Sequence, residues 1–161
     1  MTDFRALRVH RNEDRSTRCV SEMITAEALS EGEVEIDVQW SSVNYKDALA
    51  VTGKGRIMRR YPCVPGIDLA GVVRSSSDAS FKPGDQVLVT GCNIGEALDG
   101  GYAERARVPA SAVIPMPAGL DPKSAMSLGT AGFTAGLAVL RMLDNHQAPE
   151  MGPILVTGAT G

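Results

Sequence analysis

The chain has 161 residues, of which 43% are hydrophobic and 22% are charged, and its formal net charge is −3. These values are typical of a folded globular chain and exclude intrinsic disorder. A weakly acidic chain has no electrostatic reason to bind nucleic acid or anionic lipid, and no apolar run approaches the roughly 20 residues of a membrane span. Because the N-terminus is also too charged for a signal peptide, we expect a cytoplasmic protein.

Three cysteines are spread widely over the chain, at Cys19, Cys63 and Cys92. An odd number at this spacing favours neither a disulfide framework nor a CxxC metal site. We therefore predict free thiols that are buried or half-buried.

Short strands and turns are predicted over residues 1–120. The segment 33–43 alternates between apolar and polar residues, which predicts a half-solvated strand. Its apolar face carries Val34, Ile36, Val38 and Trp40. Further strands are predicted at 69–74, 86–90, 102–108 and 113–116. Pro83 and Gly84 predict a type II turn before the strand at 86–90, and strands of this length and spacing are typical of a barrel or curled sandwich.

Helical signals begin after Gly119. Asp121 followed by Pro122 is a helix start, and a helical period runs from Thr130 to about Asp144. After a short linker at 147–152, an apolar β-branched run leads into two glycines. That pattern predicts the first strand and turn of a dinucleotide-binding unit.

Six segments carry the most specific sequence signals: WSSVNYKDALAVTGKG, YPCVPGIDLAGVV, FKPGDQVLVTG, DGGYAERARV, SLGTAGFTA and ILVTGATG. In this order they resemble the medium-chain dehydrogenases/reductases, and within them the zinc-independent acrylyl-CoA reductase and quinone oxidoreductase branch. The resemblance implies a fold that is mainly β with helices. It assigns 1–120 to a GroES-like β-barrel catalytic domain, 121–147 to interdomain helices, and 152–161 to the first strand and glycine turn of a truncated Rossmann domain.

The resemblance also bears on zinc. Zinc-dependent relatives place a cysteine near the position of Asn44 and a histidine near Ile67, and an amide and an isoleucine cannot replace those ligands. We expect no metal. The zinc-independent branch uses NADPH to transfer hydride to an activated C=C bond, such as that of an acrylyl-CoA-like thioester, or to a quinone. The implied partner is therefore a small-molecule substrate, with a CoA thioester as one candidate.

Asn44 and Tyr45 are the leading candidates for catalytic and cofactor-binding residues, mainly because of this resemblance. Asn44 suits the ribose or amide region of the nicotinamide, and Tyr45 suits a contact with the ring or a proton donated near the developing enolate. The alternative is that Asn44 bonds a turn and Tyr45 packs its ring. Lys46 and Asp47 are equally compatible with function and with a local salt bridge or loop contact. For Asp68 we favour a structural role over a proton relay, because an acid before an apolar run needs a partner.

The opposite wall is predicted from the GTAGFTA segment. Thr130 and Thr134 are assigned to cofactor binding, through a hydroxyl bond to the nicotinamide amide or a phosphate, with helix capping as the alternative for Thr130. Gly158, Ala159 and Gly161 are assigned to the glycine turn that approaches the cofactor.

A basic cluster could meet the phosphates of CoA or form a solvated loop. It consists of Lys54, Arg56, Arg59 and Arg60. Members of this branch commonly have a tryptophan at the position of Cys92, after Gly91, and a His-Trp pair at the position of Leu98-Asp99, before Gly100-Gly101. This sequence therefore lacks two aromatic residues of the branch. We expect Glu96 nearby to face solvent.

The helix that would meet the cofactor pyrophosphate is absent from the sequence, so we expect NADPH to bind well only to the complete protein, a predicted homodimer. Three alternatives stay open: an NADPH:quinone reductase, a non-catalytic GroES-like module that binds a partner or small molecule, and a truncated inactive product. The DNA after the Gly161 codon would separate a reductase from the last two alternatives.

Overall fold

The computed structural model describes residues 2–158 and contains two antiparallel sheets. The first pairs β1 (Phe4–Arg11) with β2 (Thr17–Ile24). The second has the strand order β6-β3-β4-β5-β7 and is built from β3 (Val34–Trp40), β4 (Asp68–Ser76), β5 (Gln86–Thr90), β6 (Arg105–Val108) and β7 (Ile114–Pro115). The helices are α1 (Tyr45–Thr52) and α2 (Pro122–Asp144), with 3-10 turns at Ala26–Ala28, Ala110–Ala112 and Pro149–Met151. The predicted mixture of mainly β structure with helices is confirmed, but both sheets are open and do not close into a barrel.

The main core lies under the five-stranded sheet, and β3 shows how the alternation places it there. Val34 and Ile36 are fully buried, and β3 pairs with β4 on one side and β6 on the other. Trp40 is 46% exposed, so its predicted place on the buried face is wrong. The register shifts between Val38 and Trp40, and such a bulge redirects the side chains that follow it.

The turn before β5 forms as predicted. The Asp85 N–H donates to the Lys82 carbonyl at 3.1 Å, and Gly84 has φ +95°. A positive φ at the third turn position is what a type II turn requires, and glycine adopts it without steric cost. The predicted strand at 86–90 then matches β5 at both ends.

Helix α1 was not predicted, although its boundary signals are present. Asn44 is the N-cap, and its backbone N–H donates to the Asp47 carboxylate at 2.9 Å. Gly53 ends the helix in the left-handed conformation with φ +67°. These contacts place the functional candidates at the first turn of a helix and not in an irregular loop.

Helix α2 begins where predicted, because the Asp121 carboxylate accepts from the Ser124 N–H at 2.8 Å. Gly129 interrupts it with φ +52° and ψ −158°, so α2 consists of two segments joined by a kink. The first segment packs on the large sheet through Ala125 and Met126. The second exposes an apolar face that includes Phe133, Leu137 and Leu140.

By length and composition α2 is apolar enough to cross a membrane, with a mean hydropathy of 1.3, contrary to the expectation that no segment reaches that limit. Length and composition do not separate a membrane span from a helix that packs on protein. The kink at Gly129 and the packing of the first segment on the sheet are features of a helix that packs on protein.

The strand predicted from Pro153 onward is not formed within residues 153–158. Leu155 is 88% exposed there. A parallel strand depends on a neighbouring strand for its hydrogen bonds, and no other described segment pairs with these residues. The other two residues assigned to the glycine turn, Ala159 and Gly161, lie outside the described residues.

The kink at Gly129 leads to a stability prediction. A Cβ at this position would lie 2.4 Å from Ser42 Oγ, and the backbone conformation is one that other residues rarely adopt. We expect Gly129→Ala to lower the free energy of unfolding by about 1–3 kcal/mol from the backbone alone, with the clash adding to it. Urea unfolding of the variant measures this loss.

The matched control is Gly136→Ala, in the second segment of the same helix. A Cβ there meets no heavy atom within 4 Å, so the substitution should stabilise the helix by ~1 kcal/mol. Equal effects of the two substitutions would contradict the role assigned to the kink.

Candidate active site

The buried carboxylate of Asp68 is the centre of the candidate site. Asp68 is the first residue of β4, pairs with Thr90 of β5, and is 0% exposed. Asn44 Nδ2 donates to its Oδ2 at 2.8 Å. The Thr130 N–H donates to the same oxygen at 3.0 Å, and Thr130 Oγ1 donates to Oδ1 at 2.6 Å. Asp68 therefore joins α1 to α2 and holds neighbouring backbone, as its predicted structural role requires.

The position of Thr130 follows from the kink. Gly129 turns the chain so that the second segment of α2 begins with its N-terminus against the Asp68 carboxylate. A negative charge at a helix N-terminus is favourable, but this one already occupies the place that a phosphate would take. The arrangement disfavours a phosphate at Thr130. Thr134 lies one turn further on, and its hydroxyl donates to the Thr130 carbonyl at 2.8 Å.

Asn44 is held by two carboxylates at once. Its Nδ2 donates to Asp68 at 2.8 Å and to Asp47 at 3.2 Å. Its side chain therefore bonds the first turn of α1, which was the alternative considered for this residue. Its side chain also accepts from the Asp47 N–H in the capping box of α1, and the second lone pair of Oδ1 is left to accept a hydrogen bond from a ligand.

Asp47 and Lys46 both make contacts within the protein. Asp47 is buried, and its Oδ1 accepts from the Ile67 N–H at 3.0 Å. Lys46 Nζ lies 2.5 Å from Glu96 Oε1. Glu96 is only 8% exposed, so the expectation that it faces solvent is wrong. It is buried because Lys46 partly neutralises it.

Unlike these anchored residues, Tyr45 has a side chain that is exposed to solvent. It is 80% exposed, so its ring is not packed against the protein as the alternative reading required. Among the described residues its hydroxyl has no hydrogen-bond partner. Tyr45 therefore presents an exposed phenol at the first turn of α1, next to Asn44 in the chain.

Tyr102 is a part of this framework that the sequence did not reveal. Its hydroxyl donates to the Ser42 carbonyl at 3.1 Å. Burial raises the pKa of the Tyr102 phenol well above its usual range, and the negative charges of Asp47 and Asp68 act in the same direction. The group stays protonated and serves as a donor. Ser42 in turn donates from Oγ to the Met126 carbonyl at 2.7 Å, which ties the segment before α1 to α2.

The basic cluster is partly neutralised within the fold. Arg60 pairs with the fully buried Asp99, which also accepts from the Ser30 and Val64 N–H groups, each at 2.7 Å. Arg59 lies 3.9 Å from Glu96 Oε2. Arg60 is therefore committed to a structural contact, which is neither of the two alternatives considered for it. Lys54 and Arg56 are exposed and form no ion pair within residues 2–158.

All three cysteines are free thiols, as predicted, but the expectation that they are buried or half-buried is wrong for Cys92. Cys63 is fully buried, and burial raises its pKa to about 12, with the charge of Asp99 adding to the effect. Cys92 is exposed at the end of β5. Across residues 2–158 no group of three His, Cys, Asp or Glu side chains is placed to hold a metal ion.

The thiols lead to a labelling prediction. Only a thiolate attacks alkylating reagents, and with a pKa of about 12 the thiolate fraction of Cys63 at pH 8 is about one in ten thousand. We expect iodoacetamide to modify Cys92 in the native protein and Cys63 only after unfolding, as read by peptide mass spectrometry. Cys92→Ser should remove the fast reaction. Modification of native Cys63 as fast as Cys92 would show that its burial is misassigned.

Comparison with known proteins agrees with this architecture. Residues 30–118 match the alcohol dehydrogenase GroES-like domain. The chain is 50% identical over 149 residues to the probable acrylyl-CoA reductase AcuI of Escherichia coli strain K12, which is 92% of this chain and 46% of that protein. It is 46% identical over 160 residues to the putative quinone oxidoreductase YhfP of Bacillus subtilis strain 168, covering 99% of this chain and 48% of that protein.

A solved structure shows the same fold. The yhdH oxidoreductase of Salmonella enterica in complex with NADP superposes with a TM-score of 0.93 at 46% identity, over 98% of this chain and 48% of that one. The chain thus spans about half the length of the relatives it matches. The resemblance predicted from the motifs is confirmed, and the chain belongs to the alcohol dehydrogenase GroES-like domain family of the medium-chain dehydrogenases/reductases.

Proposed function

We propose that this chain forms one wall of the active site of a zinc-independent, NADPH-dependent reductase that adds hydride to an activated C=C bond of an acrylyl-CoA-like thioester. The observation that carries the proposal is the exposed Tyr45 phenol that follows the anchored Asn44 side chain at the first turn of α1. The names of the relatives support it, since one is a probable acrylyl-CoA reductase and a similar structure holds NADP.

The donor and acceptor set fits the nicotinamide end of such a cofactor. Asn44 Oδ1 would accept from the carboxamide or a ribose hydroxyl, and Thr130 and Thr134 would line the facing wall. Gly158, with φ +66° and open space around it, would belong with Ala159 and Gly161 to the turn at the pyrophosphate. The amide of Asn44 and the side chain of Ile67 are not zinc ligands, which supports zinc-independent chemistry.

When bound, the reduced nicotinamide supplies the hydride. Negative charge then develops on the thioester oxygen of the substrate. The exposed hydroxyl of Tyr45 would donate a hydrogen bond to this oxygen and then give its proton to the α-carbon of the enolate, and solvent would return a proton to the phenolate. Asn44 orients the cofactor and cannot share this task, because both of its N–H groups are used by Asp47 and Asp68.

The CoA part of the substrate would meet the remaining basic residues. Lys54 and Arg56 are exposed and unpaired within the described part of the chain, whereas Arg60 is committed to Asp99. A quinone acceptor is the second candidate, favoured by the similarity to a putative quinone oxidoreductase. It carries no phosphates and would not depend on these two side chains.

The proposal extends to the whole protein. Residues 1–120 would form the catalytic domain, 121–147 the interdomain helices and 152–161 the start of the Rossmann domain of a cytoplasmic homodimer. The exposed apolar face of the second segment of α2 would then pack on that domain.

Tyr45→Phe tests the proposed chemistry in the complete polypeptide encoded by the gene. Oxidation of NADPH is followed with acrylyl-CoA and, separately, with benzoquinone. We expect kcat/KM for acrylyl-CoA to fall about 100-fold, because positioned proton donors contribute factors of this order, while NADPH binding stays within about twofold.

Tyr61→Phe is the matched control, since Tyr61 lies outside the site and stacks with Arg11. It should leave both activities unchanged. Failure of the wild-type protein to reduce acrylyl-CoA, or full activity of Tyr45→Phe, would refute the proposal. Quinone reduction alone would favour the second candidate.

The 161-residue chain by itself should bind NADPH more weakly than micromolar. The helix N-terminus at Thr130 already carries the Asp68 carboxylate, so this helix end does not bind a cofactor phosphate. Calorimetric titration measures this directly. Micromolar affinity would show that the chain holds a phosphate site of its own.

A further inference from the structure

We propose that Asp68, together with Asp47, is a positioning residue that locks the Asn44 side chain as a hydrogen-bond acceptor towards the cofactor. The inference rests on the proposed function, in which Asn44 faces the nicotinamide riboside. It goes further by assigning the direction of the hydrogen bond and the residues that set it.

The direction follows from the chemistry of the three side chains. An ionised carboxylate only accepts hydrogen bonds, whereas an amide has two N–H donors on nitrogen and an acceptor oxygen. Asn44 Nδ2 lies 2.8 Å from Asp68 Oδ2 and 3.2 Å from Asp47 Oδ2. Rotating the amide by 180° would place its oxygen against two carboxylates, so only one orientation is favourable.

The two carboxylates are themselves held in place. Asp68 is bound by the Thr130 N–H and hydroxyl, and Asp47 by the N–H groups of Ile67 and Asn44. Both are buried, so water does not compete for the Asn44 amide. The Asn44 oxygen is therefore presented at a constant orientation before any ligand arrives.

A fixed acceptor selects for a donor on the ligand. The nicotinamide riboside offers two kinds, the N–H of the carboxamide and the hydroxyls of the ribose. A site built to hydrogen-bond a donor discriminates against an analogue that lacks it. Two cofactor analogues separate the cases: reduced 3-acetylpyridine adenine dinucleotide phosphate lacks the amide N–H, and NADPH with a 2′,3′-dideoxy nicotinamide ribose lacks both hydroxyls.

The test measures, in the complete enzyme, the ratio of kcat/KM for NADPH to that for each analogue. Differences in intrinsic hydride-donor strength cancel when this ratio is compared between variants. For one of the two analogues we expect the ratio to fall about tenfold from wild type to Asn44→Ala, and by a similar factor in Asp68→Asn. In Asp68→Asn the carboxylate that forbids rotation of the Asn44 amide is lost.

Asp99→Asn is the matched control. Asp99 is an equally buried carboxylate that bonds two backbone N–H groups but does not contact Asn44. It should lower the melting temperature and leave both ratios unchanged, which separates positioning from a merely structural loss. Ratios in Asp68→Asn equal to those of wild type would overturn the inference while leaving the proposed function intact.

A second measurement needs neither turnover nor a folded Asp68→Asn variant. In the wild-type protein without cofactor, both side-chain N–H hydrogens of Asn44 should exchange with solvent much more slowly than those of the exposed Asn93, as measured by NMR. Exchange of the Asn44 hydrogens at the rate of Asn93 would overturn the inference. Slow exchange combined with no reductase activity would refute the proposed function and preserve the geometry.

Discussion

One buried carboxylate holds the two walls of the candidate site together. Asp68 lies at the start of a central strand, 0% exposed, and accepts three hydrogen bonds from two helices. An unpaired charge in such a place would be strongly destabilising, so its donors must be present in the folded state. The positions of Asn44 and Thr130 are consequences of that requirement.

The same requirement explains features that look unrelated in the sequence. Gly129 must lack a side chain, because a Cβ would lie 2.4 Å from Ser42 Oγ and 3.0 Å from Asp68 Oδ2. The resulting kink exposes the N–H of Thr130 to the carboxylate. Ser42 and Tyr102 complete the frame with hydrogen bonds to backbone carbonyls. Beside this frame, the Tyr45 side chain is left exposed.

Two residues of the basic cluster show that a buried acidic partner changes what a positive charge does. Arg60 and Arg59 belong to a run that resembles a phosphate site. Yet Glu96 and Asp99, which lie more than 30 positions further along the chain, form ion pairs with them. Once paired, Arg60 stabilises a buried acid instead of attracting an anion. The apolar face of α2, by contrast, stays exposed over several residues, which is consistent with relatives about twice as long.

The sequence by itself determined the family, the mainly β fold, the exact limits of β5 and the start of α2. These depend on local signals: alternation over 86–90, the Pro83-Gly84 turn and the Asp121-Pro122 cap, which act within a few residues. It also singled out Asn44 and Tyr45, although helix α1 behind them was missed. Only the tertiary structure decided that Trp40 is exposed, that Arg60 is paired and that Asn44 contacts Asp68. Those outcomes depend on a bulge and on partners 24 to 39 residues away, whose distance and orientation no local pattern encodes.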